Sequence, residues 1–182
     1  AITAAQKASV LKNRPNYGEY SKRMIGEIGS SLTQKWTMPY IIWLFSHHRE
    51  LTENDVTDFI GLIKKFHMSS PLLGEFCIAL VPAGKAAAHP ARSGIEGKVV
   101  NLTLEKIHFI ESIINSQRDN AIRGQACLAL SGVLASMGDS PDINKRRLDL
   151  IRKAIINAAD MKAGDLTVAD FAKEEIYRMT KL

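Results

Sequence analysis

Apolar residues recur along this chain at intervals of three and four, and the recurrence persists through most of its length. In "LTENDVTDFIGLIKKFHM" (51–68) they fall at Val56, Phe59, Ile60, Ile63 and Phe66. That spacing puts all five on one side of a helix. Thr52, three residues ahead of Asp55, offers a side-chain oxygen to the unpaired N–H groups at the helix start. A second stripe, Leu104, Ile107, Ile110, Ile113 and Ile114, predicts a helix capped by Thr103. A third helix opens at Ser140, with Pro141 at the first helical position, where a missing N–H costs nothing. Its apolar side reads Leu148, Ile151, Ile155 and Ala158 or Ala159. The final stretch repeats the pattern with Thr167, Val168, Phe171, Ile176 and Met179. Strand-like alternation is nearly absent. Only "GKVVNLTL" (97–104) approaches it, and Gly97 with Asn101 make that segment a connection. The pattern predicts an all-α chain of about eight helices, forming one domain over residues 1–182.

The helical pattern also repeats. Residues 59–81 align without a gap on 109–131, pairing Phe59 with Phe109, Ile60 with Ile110, Ile63 with Ile113, Gly74 with Gly124, Cys77 with Cys127 and Leu80 with Leu130. Each copy reads as a helix, a short polar turn and a second helix, and repeated hairpins predict a stacked antiparallel α–α superhelix of HEAT or TPR type. A fainter third copy lies upstream, where "TMPYIIWLF" resembles "SSPLLGEFC" in placing a proline just inside a helix start. The segment 81–101 is rich in glycine, proline and small residues and reads as a long surface loop.

The repeat changes the reading of the two cysteines, Cys77 and Cys127. Equivalent positions in successive hairpins lie about 8–10 Å apart, one helix-packing distance, whereas a disulfide needs Cα atoms within about 7 Å. The Ala and Leu beside each thiol suit an inner face. The expectation is a reduced core position in each copy; a disulfide or a reactive thiol is the alternative. Gly74 and Gly124 are expected to let helices approach closely.

Composition alters this picture little. A chain of 182 residues with 46% apolar and 24% charged positions is an ordinary soluble domain, of a length that buries about 70% of its unfolded surface. The net charge of +5 permits an acidic partner, but the cations are interleaved with acids, as in "NKRRLDLIRKA". A nucleic-acid or membrane module concentrates them on one face, so nucleic acid is not the expected partner. The longest apolar run, "MPYIIWLF", is far short of the roughly 20 residues a bilayer needs, and "AITAAQKASV" has no leader pattern.

Candidate chemistry is sparse. His47 and His48 are adjacent, with Glu50 nearby, but neighbouring helical side chains diverge by about 100° and do not grip one ion. They read as a polar helix end, where the dipole favours them. His67 stands at a similar end, and His89 and His108 stand alone. Asp160, Asp165 and Asp170 lack the alternating spacing and closing Glu of a calcium loop; Gly164 is expected to end one helix, with the acids near the next. No C-x-x-C, G-x-S-x-G, Walker-type or dinucleotide motif occurs. No catalytic residue, metal ligand or cofactor is expected, and an enzyme site in the 81–101 loop has no motif behind it. Trp36, Tyr40 and Trp43 share one apolar segment and read as core or hairpin-stacking surface. Lys145, Arg146, Arg147, Arg152 and Lys153 lie opposite the apolar side of their helix, diluted by Asp142 and Asp149, and form the candidate partner-binding face.

One segment is more specific. "FIESIINSQRDNAIRGQACLALSGVLASMGD" (109–139), with its G-Q-A-C-L-A-L core, resembles a segment of bacterial proteins in which a helical region precedes a thioredoxin-like redoxin domain. "LIKKFHMSSPLLGEFCIAL" resembles an upstream turn of the same region, and "GDLTVADFAKEEIYRMTKL" the stretch leading into the redoxin domain; together these cover residues 20–182. The resemblance implies a non-catalytic interaction or positioning region for a thiol–disulfide or peroxiredoxin-type domain, in an extracytoplasmic setting. Cys127 matches the segment's own cysteine, and the redoxin C-x-x-C has nothing here to map onto. The alternative is a free-standing scaffold that takes an acidic protein, RNA or anionic lipid on the 145–153 face.

Overall fold

A computed structural model describes residues 17–47, 51–81 and 96–180. Within them the chain forms eight α-helices: α1 (Tyr17–Ile28), α2 (Met38–His47), α3 (Glu53–Phe66), α4 (Leu73–Ala79), α5 (Glu96–Ser116), α6 (Asn120–Ala135), α7 (Pro141–Ala158) and α8 (Val168–Thr180). Two single-turn 3₁₀ segments, Gly29–Ser31 and Lys35–Thr37, join α1 to α2. The fold is all-helical with extensive packing between helices, apart from one small ladder.

That ladder was not visible in the sequence. Strands β1 (Lys162–Ala163) and β2 (Leu166–Thr167) pair antiparallel between α7 and α8. Gly164 therefore does not end a helix. It adopts φ +68° as the first of two turn residues, the position where a tight hairpin turn demands glycine. Thr167 follows as a cap: its Oγ accepts from the Asp170 N–H at 3.1 Å and donates to the Asp170 carboxylate at 2.7 Å.

The caps foreseen for α3 and α7 are present. Thr52 and Asp55 form a reciprocal capping box, with the Thr52 N–H donating to Asp55 at 2.8 Å and the Asp55 N–H to Thr52 Oγ at 3.2 Å. Ser140 caps α7 by accepting from the Ile143 N–H at 3.3 Å. Thr52→Ala is expected to cost about 1 kcal/mol, readable as a lowered urea midpoint at unchanged m-value. Thr103, by contrast, does not stand at a helix start. It lies inside α5, which begins at Glu96, so 96–101 is helix rather than loop. A single glycine such as Gly97 costs a helix only about 1 kcal/mol against alanine, too little to stop a 21-residue helix. Residues 82–95 of the expected loop, and His89 with them, lie outside the described residues.

Helix α6 is the centre of the packing. Eleven of its sixteen residues are buried, including Ile122 and an unbroken run from Gly124 to Ser131, so it has no solvent face of any width. A helix apolar on all sides must be enclosed, and α4, α5 and α7 enclose it. Helix α2 packs in turn on α4, and α3 on α5. Three phenylalanines run through the interior edge to face: Phe45 to Phe76 at 5.1 Å between centroids, and Phe76 to Phe109 at 5.9 Å. The α3 stripe is buried at Val56, Phe59, Ile60 and Ile63, but Phe66 at its end is exposed; in α5, Ile107, Ile110 and Ile113 are buried while Leu104 is exposed.

Both aligned glycines stand in tight contacts, with different kinds of neighbour. A Cβ on Gly74 of α4 would stand 2.2 Å from Gln125 Oε1 of α6, and one on Gly124 of α6 would stand 2.4 Å from the Ala158 Cβ of α7. Gly74 thus admits a side chain of α6, and Gly124 the Cβ and backbone of α7. The two aligned segments differ in extent: α6 begins three positions earlier and ends six positions later in the alignment than α4, and α5 begins seven positions earlier than α3.

A candidate interaction surface on helix α7

The side of α7 that enters the core is rotated from the one the sequence suggests. Arg147, Leu150, Ile151, Ala154 and Ala158 are buried, whereas Leu148 is half-buried, Ile155 is 36% exposed and Ile156 is 81% exposed. The cause is the glycine contact. With Gly124 drawing α6 against Ala154 and Ala158, the small residues of α7 take the inner position and the isoleucine pair turns away.

This rotation removes Arg147 from the expected basic face. It is buried at 4% exposure, and its Nη2 donates to Glu175 Oε2 of α8 at 2.7 Å. Its Nη1 reaches Asn144 Oδ1 at 3.2 Å and Asp139 Oδ1 at 3.4 Å. Glu175 is also buried, and its other oxygen accepts from Arg178 at 2.9 Å. The network joins α7 to α8 and is structural. Glu175 was not among the residues expected from the sequence, although a signal exists: Val168, Ala172, Glu175 and Met179 are spaced as one helix stripe, as are Arg147, Ile151, Ala154 and Ala158. A cation on one apolar stripe and an acid on the next foretell their pairing.

The other four candidate cations are exposed, but in two different states. Arg146 pairs with Glu111 of α5, and Lys153 with Asp149 one turn earlier at 2.8 Å. The Lys153 ammonium holds the Asp149 carboxyl below its ordinary range, and Asp149 raises Lys153 in return. Lys145 and Arg152 make no ion pair among the described residues. Arg146 also lines an open groove of about 420 Å³, together with Leu104, Ile107, His108 and Glu111 of α5, Leu134 of α6, Met137, and Asp142 and Ile143 of α7.

Cys77 and Cys127 are both free and both buried, at 0% and 3% exposure. Burial pushes each thiol above its ordinary range; for Cys127 the nearby Lys153 and Arg123 partly oppose the shift. Their surroundings therefore favour the protonated, unreactive form. Gln125, beside Cys127, is a buried polar residue that no sequence pattern singled out. Its amide donates to the Lys162 carbonyl of β1 at 2.7 Å, tying α6 to the hairpin.

The remaining candidates are dispersed. His47 contacts the Trp43 carbonyl at 3.0 Å and stacks on its ring at 4.8 Å, while His48 and Glu50 lie outside the described residues. His67 is buried and donates from Nε2 to the Leu32 carbonyl at 2.7 Å. His108 lines the groove. Among the described residues no three His, Cys, Asp or Glu side chains are placed to share a metal ion, and none of the described helices is long and apolar enough to cross a membrane. Trp36 and Tyr40 are not core: they meet edge to face at 5.9 Å on the surface, because Met38, Ile41 and Leu44 take the inner side of α2. No protein-family model matches the chain, and neither a curated protein nor a solved structure is found to resemble it.

Proposed function

We propose that this chain is a non-catalytic interaction region, a HEAT- or TPR-like stack of the hairpins α3–α4, α5–α6 and α7–α8. In this reading it positions a protein partner, or an attached thioredoxin-like domain of a thiol–disulfide redoxin-type protein. The observation that carries it is the division of charge on α7. Arg147 is spent on holding α8, while Lys145, Arg146, Arg152 and Lys153 are exposed and Arg146 also lines an open, largely apolar groove. Supporting it, Cys77 and Cys127 sit inside the packing with their thiols raised, where they fill space rather than exchange electrons.

The redoxin setting rests on the resemblance of the G-Q-A-C-L-A-L segment. Reading the coding frame past the Leu182 codon tests it: a continuation carrying C-x-x-C in a thioredoxin-like domain is the expected result. A stop codon at that point overturns the attached-domain setting. It then favours the second reading, a free-standing scaffold for an acidic partner, for which Lys145 and Arg152, without ion pairs among the described residues, speak independently.

A further inference from the structure

We propose that the outer stripe of α7 formed by Lys145, Arg152 and Ile156 receives an acidic amphipathic helix of a protein partner. The proposal rests on the interaction reading above and names the contact surface and the partner's chemistry. Three observations converge on the stripe. Lys145, Asp149, Arg152 and Ile156 succeed one another at four, three and four residues, the spacing of a single helix seam. Asp149 is paired with Lys153 at 2.8 Å and also lies in the field of Arg152, so the seam presents two exposed cations that form no ion pair among the described residues. Ile156, at 81%, is the most exposed large apolar side chain among the described residues.

The geometry defines the ligand. Lys145 and Arg152 are seven residues apart, about 10.5 Å along the axis at 1.5 Å per residue, and Ile156 lies about 6 Å further. A helix laid along α7 meets them with two carboxylates seven residues apart and an apolar residue beyond one of them. Exposed cations of this kind add orientation and association rate more than affinity, and the apolar anchor at Ile156 supplies the desolvated contact that binding energy requires. A nucleic-acid backbone would engage the cations but gain nothing from Ile156. A groove occupant would instead meet Arg146, whose charge Glu111 already balances.

The test is a phage-displayed library of 16-residue helix-forming peptides panned on the full chain, with the enriched peptides then synthesised. The expected winners carry Asp or Glu at seven-residue spacing with Leu, Ile or Met four positions on. Their affinity should fall at least tenfold on K145E/R152E and on Ile156→Ser, with the helical circular dichroism of both variants unchanged. A winner with its acids changed to lysine should regain binding to K145E/R152E, a rescue that damage to the fold cannot produce. Winners that bind elsewhere or carry other chemistry overturn this inference and leave the interaction reading standing. The inference is also overturned if poly(U) or phosphatidylserine vesicles bind through Lys145 and Arg152 while no peptide does. An absence of any binder overturns this inference and leaves the attached-domain setting to the coding-frame test.

Discussion

Gly124→Ala is expected to lower the melting temperature by about 2–12 °C, although the same change in an open helix stabilises. The added Cβ would stand 2.4 Å from the Ala158 Cβ, 3.0 Å from the Ala158 nitrogen and 3.1 Å from the Ala154 carbonyl oxygen. Two of those three atoms are backbone, so no side-chain rotation relieves the clash; α6 and α7 must separate. Overpacking of this kind costs about 1–3 kcal/mol, and a domain of this size loses about 2–4 °C per kcal/mol. Gly61→Ala is the control. It lies within α3 with nothing within 4 Å of its would-be Cβ, so alanine should stabilise by up to about 1 kcal/mol through helix propensity alone. Scanning calorimetry on the two variants reads opposite signs if the close approach of α6 and α7 is as described. Equal, small shifts would mean that Gly124 has room.

Arg147→Ala should destabilise more than any substitution among its neighbouring cations. Removing one partner of a buried ion pair leaves the other charge desolvated and uncompensated, at a cost of about 3–5 kcal/mol. Glu175 would keep Arg178 at 2.9 Å, but Arg178 is largely exposed and replaces the lost partner only in part. In urea, where a small protein has a slope of about 1–3 kcal/mol per molar, the midpoint should fall by more than about 1 M. The double replacement Arg147→Met with Glu175→Leu should recover most of the loss, because well-packed apolar side chains often equal or exceed a buried pair. Arg152→Ala, one further turn along the outer side, should stay within about 0.5 kcal/mol of the parent. A single helix thus separates a structural cation from exposed ones of the same type, and the separation is measurable in one denaturation series.

The contrast also shows what the sequence discloses. Stripe spacing located the helices, because a three-and-four recurrence of Ile, Leu and Val gathers them on one side of a helix and scatters them over both faces of a strand. Caps at Thr52 and Ser140 were legible because they use short-range chemistry. The side chosen by α7 was not legible in the same way. Counting large residues points to Leu148 and Ile155, yet the packing is decided by where Gly124 allows the closest approach, and that draws the alanines inward. The loss of Arg147 from the candidate face follows from the same rotation. Thr103 failed as a helix start for the opposite reason: weak local preferences against helix around Gly97 were outweighed once α5 continued through them. The β1–β2 ladder involves two residues per strand, too few for alternation to register. The pairing of Arg147 with Glu175 could have been anticipated, since each interrupts an apolar stripe.

The two cysteines carry the central claim, that they are packing elements of the buried helical core and not a redox pair. Native-state labelling with a maleimide, followed by mass spectrometry of the peptides holding Cys77 and Cys127, tests it most directly. Both thiols should remain unmodified over hours in buffer and label within minutes in concentrated urea, Cys127 ahead of Cys77 if partial opening distinguishes them. Rapid modification of either in the folded chain, or recovery of the two peptides joined by a disulfide, would contradict the claim.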